Sequence, residues 1–354
     1  MITLSINKEQ FSDLLNLYYD VFYPLKHFVN EKKFKSILLS KKLGNKFFPF
    51  PVYFGINKEN YRKLKNEKYL KINYKKKFLG IIKIKNFFKI DSNTFGKKIF
   101  GSDFKKHPYF KKYIKENFAF IDFKYEKINK INMKHEHFVT PNSLKKKIKK
   151  YLKDKKFLAG FHTRNVPHTA HQWAHTYMLR KYKNILIQPL IGQYKKNEYL
   201  DKVIIKTNQI VTTMYKKNRS FYAPYFSYPR YGGPLEAALH AIVRKNYGCS
   251  HFWVGRDHAG YKNFFNKYSS QKFCKKNEKK IGVKIISQDE PYFCSSCNKI
   301  VNKKYHDKAC NYNTKKSVSG TKIRKLIMEN KKIPEYLMHK KISNFLKKKS
   351  ILSH

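Results

Sequence analysis

Gly160-Phe161-His162-Thr163-Arg164-Asn165-Val166-Pro167-His168-Thr169-Ala170-His171 is the stretch on which the reading of the fold turns. Just before and into it, Phe157 to Phe161 is a short apolar run of the kind a buried strand makes. Behind it, Thr169 to Lys181 has the pattern of a helix. A strand that passes through a polar turn into a helix is the start of a βαβ unit. The texture continues downstream. Ile185 to Leu190 predicts a second strand, Leu235 to Tyr247 a helix stopped by Gly248, and His251 to Gly255 another strand. This alternation predicts an α/β fold with a parallel sheet, in which ligands sit at the carboxyl ends of the strands. The polar motifs fall at those ends.

Upstream the pattern differs. Lys8 to Tyr19 reads as a helix, and Phe48 to Phe54, Tyr69 to Tyr74, Phe78 to Ile84 and Phe118 to Tyr125 read as strands. This half predicts a small β-rich domain with no catalytic constellation of its own. Leu144 to Lys156 reads as a helical connector, with Leu144, Ile148, Tyr151 and Leu152 on one face.

A chain of 354 residues suits two domains, or two plus a small appendage. A hydrophobic fraction of 41% and an aromatic fraction of 16% supply real cores, despite a mean hydropathy of -0.68. The formal charge of +55 has two readings. One is a polyanion-binding surface. The other is compositional drift, which the even spread of lysine favours: only eight of the 78 basic residues are Arg. No apolar run approaches the roughly 20 residues of a membrane span, and Met1 to Glu9 lacks a secretory leader's pattern. Five cysteines, three of them closely spaced, point to a reducing, cytoplasmic setting and a metal clip.

The motifs carry the chemistry. His168 and His171 lie three apart, on one face of a helix's first turn. That helix end already offers unpaired N–H groups and positive potential to an anion. Two imidazoles there suit phosphate oxygens; the same pair also fits a metal or a packed core. Gly255-Arg256-Asp257-His258-Ala259-Gly260 is a second polar turn after a strand, with Arg256 offering a planar fork. Ser319-Gly320-Thr321-Lys322-Ile323-Arg324 reads as a capped first turn, able to hold phosphate or simply to begin a helix. Pro229 to Pro234 contains a glycine pair ahead of the strong helix. Arg164, Arg230, Arg244, Arg256 and Arg324 all lie in or beside these segments, where a bidentate fork would matter.

Taken together and in order, these segments resemble the ATP sulfurylases. Val21-Phe22-Tyr23-Pro24-Leu25 and Phe48-Pro49-Phe50-Pro51 extend the likeness into the N-terminal half. The resemblance implies an α/β chain with a β-rich, PUA-like domain over 1–145. A Rossmann-like HxGH nucleotidyltransferase domain would follow over 146–290, and a zinc-clip and helical region over 291–354. It implies transfer of the adenylyl group of ATP to sulfate, giving adenylyl sulfate and pyrophosphate by direct in-line attack, in either direction. By that resemblance Thr163, Arg164, Asn165, His168 and His171 are catalytic, and His162, Arg164 and Ala259 contact sulfate. Asn165, His168, His171, Gly255, Arg256, Asp257 and His258 handle ATP with its Mg²⁺. A homodimer or higher oligomer is expected, with neither specific nucleic acid nor membrane as partner. His162 stands where the family often has Gln, and Ala170 where related enzymes often have Gly.

Cys294-x-x-Cys297 followed by Cys310 reads as part of a structural Zn²⁺ site. Where relatives carry a Cys-Pro-His segment, this chain has Cys310-Asn311-Tyr312. His306 is then the candidate fourth ligand; the alternative is a degenerate site with three free thiols.

Overall fold

The computed structural model describes residues 1–152, 157–192, 198–306, 310, 314–347 and 351–352. The chain forms two compact units that interleave in sequence. The first is built from Met1–Pro141, Ser227–Tyr247 and Asp257–Lys284, the second from Asn142–Phe226, Gly248–Arg256 and Ile285–His354.

In the first unit, strands β1 (Ile2–Ser5), β2 (Gly55–Ile56), β3 (Tyr69–Tyr74), β4 (Lys77–Phe88) and β5 (Ala119–Ile128) form one sheet in the order β1-β3-β4-β5-β2. β1 runs parallel to β3, and the β3–β4, β4–β5 and β2–β5 pairs are antiparallel. Aromatic rings fill the core beneath it: Phe34, Phe88, Phe95 and Phe120 are all buried, and Phe95 stacks on Tyr113 with ring centroids 3.9 Å apart. Helix α1 (Lys8–Tyr18) begins with a capping box in which Asn7 and Gln10 satisfy each other's backbone N–H groups.

The N-terminal region is mixed rather than simply β-rich. It also carries helices Glu31–Ser40, Lys58–Leu64, Ser92–Phe100 and Pro108–Glu116. Phe48 to Phe54 is not a strand. It is irregular backbone whose apolar side chains are buried, because Pro49 and Pro51 cannot donate to a ladder. The expected connector is a helix over Pro141–Lys149 with Leu144 and Ile148 buried; residues 153–156 of that expectation lie outside the described residues.

The second unit holds the parallel sheet. Strands β6 (Leu158–Thr163), β7 (Asn184–Ile191), β8 (Ser220–Tyr222), β10 (His251–Trp253) and β11 (Lys284–Ile286) follow the order β8-β7-β6-β10-β11, and β9 (Tyr225–Phe226) also pairs with β7. The pairs β8·β7, β9·β7, β7·β6 and β6·β10 are parallel. All eight residues of β7 are buried, which is why its sequence is a nearly continuous apolar run. Helix α2 (Thr169–Tyr182) returns the chain from β6 to β7, and α3 (Asp201–Thr213) leads on to β8. Helix α4 (Gly233–Asn246) belongs to the first unit.

The C-terminal part adds a three-stranded antiparallel sheet, β12 (Tyr292–Cys294) between β13 (Lys299–Val301) and β14 (Lys315–Ser317), followed by helix α5 (Gly320–Met328). Among the described residues, no helix is long and apolar enough to cross a membrane.

Candidate active site

The site is best built from the end of β6. His162 and Thr163 close that strand, and Arg164 and Asn165 begin the turn that follows. β6 lies beside β10 with Phe161 opposite Trp253. Gly255 and Arg256 therefore leave the sheet at the same edge as Thr163 to Asn165. Parallel packing alone brings these two sequence motifs together.

Asn165 is held from three sides. Its N–H donates to Thr163 Oγ1 at 3.1 Å, its carbonyl accepts from Asn208 Nδ2 at 3.4 Å, and its Oδ1 accepts from Arg324 Nη1 at 2.8 Å. Arg324 lies on α5, whose N-cap is Ser319, as the sequence suggested. A Cβ added at Gly320 would stand 3.2 Å from the Asn165 side chain, so glycine there permits the close approach. The capped helix is thus also part of the site's scaffold. Arg164 lies 4.0 Å from Glu198, and Arg256 lies 3.1 Å from Glu290. Both guanidinium groups are more than a third exposed. Ion pairs of this kind contribute at most about 1 kcal/mol.

His168 is the N-cap of α2, and its Nδ1 accepts the His171 N–H at 3.4 Å. Its proton is then on Nε2, which makes that nitrogen a donor. The His168 and His171 rings stack with centroids 3.7 Å apart. One turn further along α2, His175 is fully buried, and its Nδ1 lies 2.9 Å from Tyr215 Oη. Burial holds His168 down at about 4 and His175 at about 3, and burial also keeps His171 well below the usual imidazole range. All three rings are neutral at pH 7. Neutral imidazoles act on an anion as hydrogen-bond donors rather than as cations.

The same depression makes stability pH-dependent. An unfolded histidine takes up its proton near pH 6.5, whereas these do not until about pH 4 or below. Between those values the unfolded chain binds more protons, so stability falls as the pH drops from 6.5 towards 4. Each ring steepens that fall by about 1.4 kcal/mol per pH unit. Urea unfolding at pH 7 and pH 5 checks this; equal midpoints would show that the rings are not held neutral.

The first unit contains the remaining expected residues. Asp257 and Ala259 both have left-handed backbone, at φ 55° and 59°. The turn they make is pinned at several points. Asp257 N–H donates to the Lys267 carbonyl at 2.6 Å, Ser270 Oγ to the His258 carbonyl at 2.7 Å, and Gly233 N–H to the Ala259 carbonyl at 3.0 Å. A Cβ at Gly260 would fall 2.0 Å from Asp257 Oδ1, so any larger residue there would displace that carboxylate.

Two of the five arginines are not ligand forks. Arg230 is 1% exposed and donates to the Asp13 carboxylate, which also accepts from Tyr228 Oη at 2.9 Å. Arg244 is fully buried in α4, with Nη1 donating to the His240 carbonyl at 3.2 Å. The sequence reading missed Asp13, His175, Asn208, Glu236 and His240, all of which brace these segments.

The four candidate clip residues come together. Ligand atoms of Cys294, Cys297, His306 and Cys310 all lie within 4.8 Å of one another. Cys297 Sγ is 3.0 Å from Cys310 Sγ and 3.4 Å from His306 Nε2, and Cys294 Sγ is 3.4 Å from Cys310 Sγ. A tetrahedral Zn²⁺ with Zn–S near 2.3 Å asks for sulfurs about 3.8 Å apart, so a small adjustment seats the ion. His306 Nδ1 lies 3.0 Å from Tyr292 Oη, the outer partner a ligating imidazole needs. The four residues could hold a metal.

The chain's two tryptophans, Trp173 and Trp253, sit in one aromatic cluster with Tyr177 and Tyr305, the neighbour of His306. Metal analysis is expected to return about one zinc per chain, and chelation to change tryptophan emission reversibly. No zinc and an unmoved spectrum would show the clip to be vestigial.

The class of protein is now defined: a parallel α/β unit that presents a helix N-terminus, imidazoles and guanidinium groups at the carboxyl edge of its sheet. Comparison with known proteins gives the family. Residues 135–349 match the ATP-sulfurylase family model, and residues 1–121 match the PUA-like domain model. The chain belongs to the ATP-sulfurylase family. It is 29% identical over 346 residues to a sulfate adenylyltransferase of Ignicoccus hospitalis, covering 97% of this chain and 89% of that protein. It is 28% identical over 357 residues to one of Carboxydothermus hydrogenoformans, covering 98% and 92%. Among solved structures, a chain described as a hexameric APS kinase from Thiobacillus denitrificans shares the fold, with a TM-score of 0.74 at 14% identity. The match covers 98% of this chain and spans 62% of that longer one.

Proposed function

We propose that this chain is a sulfate adenylyltransferase, joining sulfate to the α-phosphate of ATP and releasing pyrophosphate. The observation that carries the reading is the turn after β6. There Asn165 is fixed by Arg324, and two neutral imidazoles stand at a helix N-terminus. Its membership of the family, and near full-length relatives named for this activity, support the same conclusion.

In this reading His162, Arg164 and the backbone of Ala259 orient sulfate. Asn165, His168, His171, Gly255, Arg256, Asp257 and His258 hold ATP. A sulfate oxygen attacks the α-phosphorus in line, with no covalent enzyme intermediate. Thr163, Arg164, Asn165, His168 and His171 stabilise the charge that builds on the α-phosphoryl oxygens. His168 contributes an Nε2–H donor without needing a proton from solvent.

Mg²⁺ would supply charge neutralisation on the phosphates. Nucleotidyl transfer implies that the ion would arrive with ATP. The experiment is oxyanion-dependent pyrophosphate release from Mg·ATP, with sulfate and then molybdate. Release that needs the oxyanion supports the reading; ATP binding without release would assign the site a different acceptor.

A further inference from the structure

The Asp257–Gly260 turn is built on the first two turns of α4, and one carboxylate organises both. Glu236 is fully buried in the helix's first turn. Its Oε1 accepts the Arg230 N–H at 2.9 Å and its Oε2 the Gly232 N–H at 3.0 Å. Those contacts fix the Pro229–Gly233 turn, from which Gly233 N–H reaches the Ala259 carbonyl. Oε1 also lies 3.5 Å from Nε2 of His240, one helical turn on. His240 is 2% exposed, and its Nδ1 lies 3.1 Å from Nε2 of His258.

We infer that His240 is the positioning residue for His258, so that α4, through Glu236 and His240, sets both the backbone and the imidazole of the substrate-binding turn. The inference rests on the assignment of His258 to ATP made above.

The donor and acceptor roles follow from valence. Both Glu236 oxygens accept, so the carboxylate 3.5 Å away favours the neutral His240 with its proton on Nε2, although the two make no hydrogen bond. Its Nδ1 is then a lone pair, and His258 must offer Nε2–H to it. This fixes the tautomer of the His258 ring and restrains its orientation. Outer partners of this kind orient a working imidazole in metal sites and catalytic triads alike.

The test compares His240→Ala, His240→Asn and His240→Gln with His258→Ala and the unaltered protein, measuring kcat and KM for Mg·ATP and for sulfate separately. Asparagine places a polar acceptor near the Nδ1 position, towards His258. Glutamine places one near Nε2, towards Glu236. His240→Ala is expected to reduce kcat/KM for Mg·ATP by about 10- to 100-fold, the range seen when the outer partner of a working imidazole is lost. His240→Asn should recover much of that loss and His240→Gln little of it.

Equal activity of the Asn and Gln variants would overturn the inference, and so would unaltered kinetics in His240→Ala. If the alanine variant fails to fold, the Asn–Gln comparison still decides. Unaltered kinetics in His258→Ala would instead remove the ATP assignment of His258. An unaltered protein without oxyanion-dependent turnover would remove the proposed function itself.

Discussion

Arg164→Ala is expected to cut sulfate-dependent turnover by about 10²- to 10³-fold, the usual effect of deleting one group that meets developing charge. Stability should be nearly unchanged. The Arg164 side chain is 39% exposed, and it lies 4.0 Å from Glu198. Such a pair contributes little to folding. Activity and thermal unfolding measured on the same preparation separate the two effects. Near-normal turnover would show that the turn after β6 is not the reacting site. A large loss of stability would show that Arg164 is structural. His171→Ala should abolish turnover too, but less cleanly, since its ring also stacks on His168 and packs against Phe161.

The largest effect on stability is expected at Asp13 and Arg230. Both are buried, at 3% and 1% exposure, and they bond one another across 217 residues of sequence. Burial outweighs the guanidinium's pull and leaves the Asp13 carboxyl above its usual value. The pair is therefore costly to build and more costly to break. Arg230→Ala leaves a carboxylate in the core without its partner, and removal of one member of such a pair costs about 3–5 kcal/mol. Denaturant unfolding should show that loss. Replacing both with apolar residues, Asp13→Leu with Arg230→Met, should recover part of it, because no charge is then stranded. A single variant within about 0.5 kcal/mol of the parent, as surface changes give, would mean that the bond does not hold the Pro229–Gly233 turn.

The parallel sheet was legible because burial on both faces writes itself into composition. Asn184–Ile191 is apolar nearly throughout, and the strand ends are marked by abrupt polar turns. The anion-facing turn was legible because its residues are local. His162 to His171 sit within one strand-to-helix connection, and His168 caps the helix they predicted.

What escaped was mostly long-range. Asp13 looks like one acid among others on an amphipathic helix until Arg230 is placed beside it. Glu236 and His240 have a visible four-residue spacing, but nothing in the sequence says that His258 is the third member. The helices Glu31–Ser40, Lys58–Leu64 and Ser92–Phe100 did leave a signal. Asn30, Asn57 and Asp91 each cap one of them, and the lysine-rich background hid the pattern. At Phe48 to Phe54 the apolar run is real, but Pro49 and Pro51 withhold the N–H groups that a ladder needs.

The central claim is that sulfate itself becomes joined to the α-phosphorus. The most direct measurement incubates the protein with Mg·ATP and ¹⁸O-labelled sulfate, with pyrophosphatase present to draw the reaction forward, and reads the nucleotide product by mass spectrometry. The account predicts adenylyl sulfate that carries the label, and AMP that keeps one labelled oxygen after the sulfur–oxygen bond is cleaved. Pyrophosphate release with only unlabelled AMP as product would contradict it.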